Sequence, residues 1–383
     1  MTKTGDVVVI GGGIHGCSTA LHLALRGLKP ILVEKDYAGR HASGVNAGGV
    51  RQLARDLAEI PLSISSMDLW ENIQELVGDD CGFESHGTVL VAENDAELAS
   101  FKERVDDLRL RGFTHEEMIG QAELRRLVPA VSEHCPGGVV SRRDGAADPF
   151  RSTQAFRKRA VEKGAEMMEG VTVTGLSRVS DVWRVETTDG TIEAPKVVNA
   201  AGAWADRIAA MLGEPVPLTV VAPMLMVTSR VPPFIQPVVI LRGRKLSFKQ
   251  LENGTVVIGG GHLATPHRDR NETVIDWEKL AISARTVWEL FPVMRQATIV
   301  RAWAGIEAYM PDGIPVVGRS ATSEGVFHQF GFSAHGFQLG PGTGAMMAEL
   351  VATGSTNVPI DGLGIERFQP KLTPKGETHN SMM

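Results

Sequence analysis

The 383-residue chain has little cysteine, no long apolar run and no excess of positive charge. Its three cysteines, Cys17, Cys81 and Cys135, have the spacing of neither a metal set nor a redox C-x-x-C pair. Scattered thiols fit a reducing compartment, so the expectation is a cytoplasmic protein with all three unpaired. No stretch reaches the ~18–20 apolar residues of a membrane-spanning helix, and the chain enters a strand so early that no secretory leader is expected. A net charge of −6 argues against non-specific nucleic-acid binding. Neither Ser43 nor Ser333 sits in a G-x-S-x-G elbow, which sets hydrolase chemistry aside. His262 and His267 make no metal set with an acid at helical spacing, so no metal is expected. There is no internal repeat or low-complexity linker. A hydrophobic content of 43% with 22% charged residues fits a globular chain of one large or two intermediate domains.

The chain is organised around its beginning, DVVVIGGGIHGCSTALHLALRGLKPILVE, from Asp6 to Glu34. Val7 to Ile10 is a β-branched run suited to a strand buried on both faces. Gly11, Gly13 and Gly16 follow at G-x-G-x-x-G spacing, then a helical pattern from Ser18 to Arg26 stopped by Gly27. Ile31 to Val33 reads as a second buried strand closed by Glu34. Gly11 permits the tight turn, Gly13 leaves room for a pyrophosphate, and Gly16 lets helix and sheet approach. The N–H groups at the helix start, with the helix dipole, then face the diphosphate. Glu34 is placed to accept from a ribose diol, which favours FAD or NAD over NADP. The alternative is a glycine-rich βα turn with no ligand; strand, glycines, helix, strand and acid in register weigh against it.

Gly39 to Gln52 is rich in small residues and reads either as backbone passing close to something large and flat or as a flexible loop. Expected helices are Leu57–Val77, Asp95–Arg111, Gln121–Leu127, Arg151–Lys163, Ile275–Phe291 and Thr343–Ala352. Strands are expected at Gly87–Ala92, Gly137–Val140, Lys196–Ala201, Leu246–Gln250, Thr255–Gly259, Thr298–Ala304, Asp312–Val317 and Val326–Phe330, with two more between Ala165 and Val185. The fold class is therefore α/β, a Rossmann-type dinucleotide domain interrupted by a β-rich α+β domain. The expected division is 1–85, 145–215 and 312–370 for the cofactor domain, 86–144 and 216–311 for the substrate domain, and a mobile tail over 371–383.

Over its whole length the chain resembles the FAD-dependent amino-acid and amine oxidase family of D-amino acid oxidase, glycine oxidase and sarcosine oxidase. The markers are VVIGGGIHG with Glu34, SGVNAGGVR, VVNAAGAWA, WAGIEAYMPDGIPVVG and GFSAHGFQLGPGTG. In the phrase SFKQLENGTVVIGGG it looks closest to the β subunits of heteromeric sarcosine and opine oxidases. The resemblance implies a glutathione-reductase-like cofactor domain. It implies FAD held at Gly11, Gly13, Ile14, His15 and Gly16, with Glu34 and Lys35 at the adenosine and Val173 near the adenine. Ser43, Asn46, Gly48 and Gly49 would line the isoalloxazine. Ala201, Gly202, Trp204 and Gly305 would flank it, and Gly336, Phe337 and Gln338 would bring a helix N-terminus to the flavin pyrimidine. The implied reaction oxidises the C–N bond of an amino acid or N-alkyl amino acid to an imine, with hydride passing to flavin N5. Two other readings stand beside it. One is a catalytic β-type subunit of an opine, D-hydroxyproline or sarcosine dehydrogenase that passes electrons to partner subunits. The other is a non-catalytic nucleotide-binding module.

The departures from the family carry their own expectations. Where sarcosine-oxidase-like members attach flavin to a cysteine this chain has Gly305, and where dimethylglycine-dehydrogenase-like members use a histidine it has Val45; non-covalent FAD is expected. The carboxylate-binding arginines of glycine oxidase align with Glu307 and Ala334, and the lysine of sarcosine oxidase with Gln338. The lysine that activates oxygen in sarcosine oxidase aligns with Val257, so slow reoxidation by air is expected. Arg51 and Gln52 either face the substrate or form a solvated pair at a helix start. His335 either contacts flavin or packs in its turn. Glu307 and Tyr309 alternate on an extended stretch and so share a face, where the acid meets a cationic substrate or sits at a rim. Arg51, Glu307, Tyr309 and His335 are the candidate catalytic residues; Lys249 and Arg301 read as structural or surface residues.

Overall fold

A computed structural model describes residues 2–369; the tail expected to be mobile, 371–383, lies outside them. The run Val7–Ile10 is a strand with all four residues buried. It lies in a six-stranded sheet between Lys196–Asn199 and Pro30–Glu34, with Val326–Phe330 and Glu166–Glu169 flanking these. All five are parallel, and Val316–Arg319 closes the edge antiparallel to Val326–Phe330. Parallel strands need crossovers, and burial on both faces explains their unbroken apolar runs. The helices Ile14–Leu25, Pro149–Glu162 and Gly336–Thr353 cover one face. Toward the other face lies a four-stranded sheet of Thr2–Thr4, Gly190–Ala194, Val182–Thr187 and Val173–Val179.

A second, eleven-stranded sheet takes its strands from two stretches of chain, Thr88–Ala92 to Gly137–Ser141 and Thr219–Thr228 to Glu307–Tyr309. The stretches meet where Val238–Leu241 runs parallel to Thr88–Ala92; every other pair in the sheet is antiparallel. Helix Trp277–Leu290, capped by the Asp276 carboxylate accepting from the Lys279 N–H at 3.1 Å, packs on this sheet through Leu280, Val287 and Leu290. The mixed α/β class is as expected from the sequence.

Several elements differ from expectation. The helix expected over Leu57–Val77 is two helices, Ile60–Glu71 and Ile73–Val77, broken at Asn72, whose φ of −112° is not helical. Three strands, not two, occupy the region after Ala165: Glu166–Glu169, Val173–Val179 and Val182–Thr187. The strand expected at Asp312–Val317 is Val316–Arg319. The last helix starts at Gly336, seven residues before Thr343, and contains Pro341. Proline removes an N–H and displaces the preceding turn, and tertiary partners make good the loss. The Gln338 carbonyl accepts from Ser66 Oγ at 2.5 Å and Trp70 Nε1 at 2.9 Å, while the Gly342 N–H donates to Ser66 Oγ at 2.9 Å.

Candidate active site

The site forms where the parallel strands end. Gly11 follows the first strand, Glu34 ends its neighbour, Ala200 and Ala201 follow the third and Gly331 follows the fourth; all line one cavity of about 920 Å³. The carboxyl edge of an open α/β sheet is the usual place for a dinucleotide. Gly11 has φ +112°, and a Cβ there would fall 2.3 Å from the Ala200 carbonyl oxygen. Any other residue would push the two strand ends apart. The Glu34 carboxylate accepts from the Gly12 N–H at 2.6 Å and the Asp36 N–H at 2.8 Å, so it braces the glycine turn as well as facing the cavity. Burial raises its pKa against the pull of those two bonds.

The small-residue stretch after Glu34 is ordered by its own contacts. Ser43 Oγ accepts from the Ile14 N–H at 3.0 Å, at the start of the first helix. Asn46 closes the short helix Ala42–Val45 by donating to the Ala42 carbonyl at 2.9 Å, and its Oδ1 accepts from the Gly48 N–H at 2.7 Å. Trp303 Nε1 donates to the Val45 carbonyl at 2.8 Å, tying this loop to the eleven-stranded sheet. His15 stacks on Phe332, ring centroids 3.7 Å apart. Both its nitrogens are buried with no hydrogen-bond partner among the described residues, and burial lowers its pKa to about 3, so the ring is neutral. Lys35 Nζ lies 4.0 Å from the centre of the Trp204 ring and donates to Asn271 Oδ1 at 2.8 Å.

The other part of the cavity is charged. Arg51 donates to the Leu53 carbonyl and forms no ion pair among the described residues. Asp144 fixes the backbone just beyond it, accepting from the N–H groups of Gln52 at 2.8 Å and Leu53 at 3.1 Å; burial pushes the Asp144 pKa up to about 6. Arg55, 2% exposed, donates through Nη2 to the Arg51 carbonyl at 2.7 Å, and burial lowers its pKa to about 9. Arg104 pairs with Glu116 at 2.8 Å. Glu307 and Tyr309 lie on one strand and both line the cavity. The Glu307 Oε1 accepts from the Ala334 N–H at 2.7 Å, and burial pushes the acid up to about 7. His335 Nδ1 is 3.3 Å from Glu59 Oε2, and burial lowers its pKa to about 4.

A model of the FAD-dependent oxidoreductase (DAO) family matches residues 6–350. The chain belongs to that family. Its cofactor is FAD. The mitochondrial sarcosine dehydrogenase of Mus musculus is 28% identical over 97% of this chain but only 42% of that protein, so the chain spans less than half of that relative. The β subunit of sarcosine oxidase from Rhizobium meliloti is 26% identical over 95% of this chain and 88% of that subunit. Among solved structures, L-proline dehydrogenase from P. horikoshii superposes with a TM-score of 0.89 at 29% identity, covering 96% of this chain and 98% of that one. Glycine oxidase from Geobacillus kaustophilus, with a TM-score of 0.87, 24% identity and 96% and 100% coverage, is a likeness of fold.

The cavity fits the flavin cofactor of such an oxidoreductase. The Gly11–His15 turn opens onto it, Glu34 lies beside it, and helix Gly336–Thr353 begins at it, with Gly336 and Phe337 in its wall. An N-terminal helix end stabilises an anion, as a reduced flavin requires. Of the residues anticipated from sequence, Gly11, Gly13, Ile14, His15, Glu34, Lys35, Ser43, Asn46, Gly49, Val173, Ala201, Gly202, Trp204, Gly305, Gly336 and Phe337 line the cavity, as do Arg51, Glu307, Tyr309 and His335.

Three do not. Gly16 is buried under the turn, where a Cβ would fall 1.9 Å from the Gly11 carbonyl oxygen. Gly48 accepts from the Ala147 N–H at 2.9 Å, away from the lining. Gln338 faces helix Ile60–Glu71, its Oε1 accepting from Ser63 Oγ at 3.0 Å and its Nε2 donating to the Ser63 carbonyl at 2.9 Å. Gln52 is buried, not solvated. Lys249 is buried and Arg301 exposed. Sequence reading missed Arg55 and Arg104. The four-residue spacing of Arg51 and Arg55 was a local signal for the first; Arg104 comes from a remote helix and left none.

Among the described residues no helix is long and apolar enough to cross a membrane, and no group of three or more His, Cys, Asp or Glu could hold a metal.

Proposed function

We propose that this chain oxidises the C–N bond of an amino acid or N-alkyl amino acid to an imine. The observation that carries the reading is the charge pattern of the cavity: a guanidinium with no ion pair among the described residues, Arg51, and a carboxyl group, Glu307, line the same space beside the flavin loop. That pattern is complementary to a zwitterion. Arg51 binds the substrate carboxylate, Tyr309 and His335 shape the wall around the amine, and Glu307 meets the nitrogen. The bound flavin supplies the two-electron acceptor. In this reading Gly11, Gly13 and Ile14 would hold the diphosphate, Glu34, Lys35 and Val173 the adenosine, and Gly49, Gly305 and the helix start at Gly336 the flavin ring. Positioning and the electropositive helix end do most of the catalytic work. The stretches 1–85, 145–215 and 312–370 form the cofactor domain, and 86–144 and 216–311 the substrate domain; the membership of the two large sheets supports that division.

A second reading makes the chain a β-type subunit that hands electrons to partner subunits. It is favoured by the sarcosine oxidase β subunit, which this chain matches over 88% of its length. A cytoplasmic setting goes with either reading, supported by three buried free cysteines. The experiment is an anaerobic screen of glycine, sarcosine, L- and D-amino acids, D-hydroxyproline and opines, scored by loss of flavin absorbance. Bleaching by an amine establishes the reaction class. A flavin that none of them bleaches leaves a nucleotide-binding module.

A further inference from the structure

We propose that Glu307 is the base that takes the proton from the substrate ammonium, so that the enzyme accepts amines in their protonated form. This rests on the amine-oxidation reading above. Strand Glu307–Tyr309 pairs with Thr219–Thr228, Glu307 lying opposite Val221, and this register sets its side chain in the cavity wall. One carboxylate oxygen accepts from the Ala334 N–H at 2.7 Å; the other has no protein partner among the described residues. The turn that supplies this N–H has two consecutive left-handed non-glycine residues, Ser333 at φ 49° and Ala334 at φ 66°. Such conformations cost about 1–3 kcal/mol each and persist where the surroundings enforce them. Here Ser333 Oγ accepts from the Met310 N–H and donates to the Gly331 carbonyl, both at 3.1 Å. The strained turn thus fixes one oxygen of Glu307 and leaves the other for a ligand.

Among the described residues no cation neutralises this carboxylate. Strand Thr219–Thr228 has no titratable side chain, nor has the packed turn Gly202–Trp204. On its own strand only Tyr309 titrates, and burial with the nearby Glu307 raises its pKa. His335, from the facing loop, is neutral and turned to Glu59. Arg51 lines the same cavity but forms no ion pair with Glu307. A buried carboxylate without a cation is costly, and a substrate ammonium removes that cost. The step then balances simply: an N–H bond of the ammonium breaks, an O–H bond forms on Glu307, and the nitrogen keeps the electron pair that C–H cleavage requires. Burial places the acid near neutral pH, where a general base works best.

The test uses FAD-loaded protein and the amine that bleaches the wild-type flavin fastest, with anaerobic stopped-flow reduction followed from pH 6 to 10. The wild-type rate should rise through about pH 7. Glu307→Gln keeps an oxygen for the Ala334 N–H, and its visible spectrum checks that FAD is bound. At pH 7 it should be slower by about 10²-fold or more, recovering as pH approaches the ammonium's own pKa, near ~10 for an alkylamine. A fluorinated analogue with a more acidic ammonium should narrow the gap. Glycine betaine, which has no proton to give, should perturb the wild-type flavin spectrum with affinity that rises through about pH 7 and is flat in the variant. A Gln variant that follows the wild-type profile, or loses the same factor at every pH and with both amines, overturns the proposal. Failure of every amine to bleach wild-type flavin overturns the parent reading, and this one with it.

Discussion

Gly305 and Val45 face each other across the cavity wall so closely that a Cβ on Gly305 would fall 2.4 Å from Val45 Cγ2. By the family resemblance these are the positions of the flavin-attaching cysteine of sarcosine-oxidase-like members and histidine of dimethylglycine-dehydrogenase-like members. In the fold they are one place, filled here by a valine methyl group and a glycine hydrogen. Neither offers a nucleophile.

FAD should therefore leave the protein on acid precipitation, with yellow supernatant and colourless pellet; absorbance retained by the pellet would falsify this. Gly305→Cys alone should lower FAD content, because its side chain meets Val45 before it meets flavin. Pairing it with Val45→Ala should restore binding. Absorbance at the flavin maximum per mole of purified protein measures both.

The nucleotide half of this arrangement was legible in the sequence because it is local. Val7–Ile10, the glycine spacing and Glu34 all fall within one βαβ unit, and strands Leu246–Gln250 and Val326–Phe330 stand where their apolar runs place them. What failed was non-local. Gly336–Gly342 reads as the glycine-rich entry to a helix expected from Thr343, and is itself helix because Ser66 and Trp70 take over bonds that Pro341 disrupts. Gln338 was expected at the flavin and instead bonds Ser63, since a helix beginning at Gly336 turns that side chain away. The cavity position of Arg51 depends on a turn held by Asp144, 91 residues from Leu53, and no sequence pattern connects them.

Arg51 supplies the next expectation. Its guanidinium has one bond to the Leu53 carbonyl and no acidic partner among the described residues, leaving donors for a substrate carboxylate. Arg51→Lys replaces a planar fork by a point charge. KM for the best substrate should rise by about tenfold or more, with a smaller change in kcat, the signature of lost binding shared by ground and transition states. An amine lacking a carboxylate should show no difference between variant and wild type. Steady-state kinetics with both substrates decides it; unchanged KM for the carboxylate substrate would move the clamp elsewhere.

The glycines of the last helix make a separate prediction about stability. A Cβ at Gly344 would fall 2.1 Å from Ser18 Oγ and 2.6 Å from the Ser18 carbonyl carbon, and one at Gly340 would fall 2.9 Å from Ile14. These positions let helix Gly336–Thr353 lie on helix Ile14–Leu25, and backbone cannot yield as a side chain can. Gly344→Ala should cost roughly 1–3 kcal/mol through overpacking, despite the better helix propensity of alanine. Thermal melts should show a lower Tm by several degrees. Gly120→Ala is the control, with nothing within 4 Å of the new methyl and an expected change within about 0.5 kcal/mol.

The last prediction concerns oxygen, where the structure changes the expectation. By the family resemblance Val257 aligns with the oxygen-activating lysine of sarcosine oxidase, and Lys249 is its register partner on the adjacent antiparallel strand. Directly opposed residues share a face. Lys249 is 8% exposed, has no ion-pair partner among the described residues, and its Nζ lies 2.9 Å from where a Gly48 Cβ would be. Gly48 is flanked by Ala47 and Gly49, both in the cavity wall. Burial lowers the lysine pKa to about 8, against the opposing pull of Asp148 and Glu84. The ammonium is therefore charged at neutral pH and loses its proton as pH rises through about 8. A positive charge behind the flavin loop stabilises the superoxide-like transition state of flavin reoxidation. Photoreduced protein mixed with aerated buffer should reoxidise quickly at pH 7 and slow as pH rises through that value. Lys249→Met, similar in length but neutral, should be slower by about tenfold or more at pH 7 and lose the pH dependence, with FAD content unchanged. If Lys249→Met alters Tm while reoxidation stays as it was, the lysine is a packing residue. The electrons then leave for a dye or a partner subunit, as Val257 alone implied.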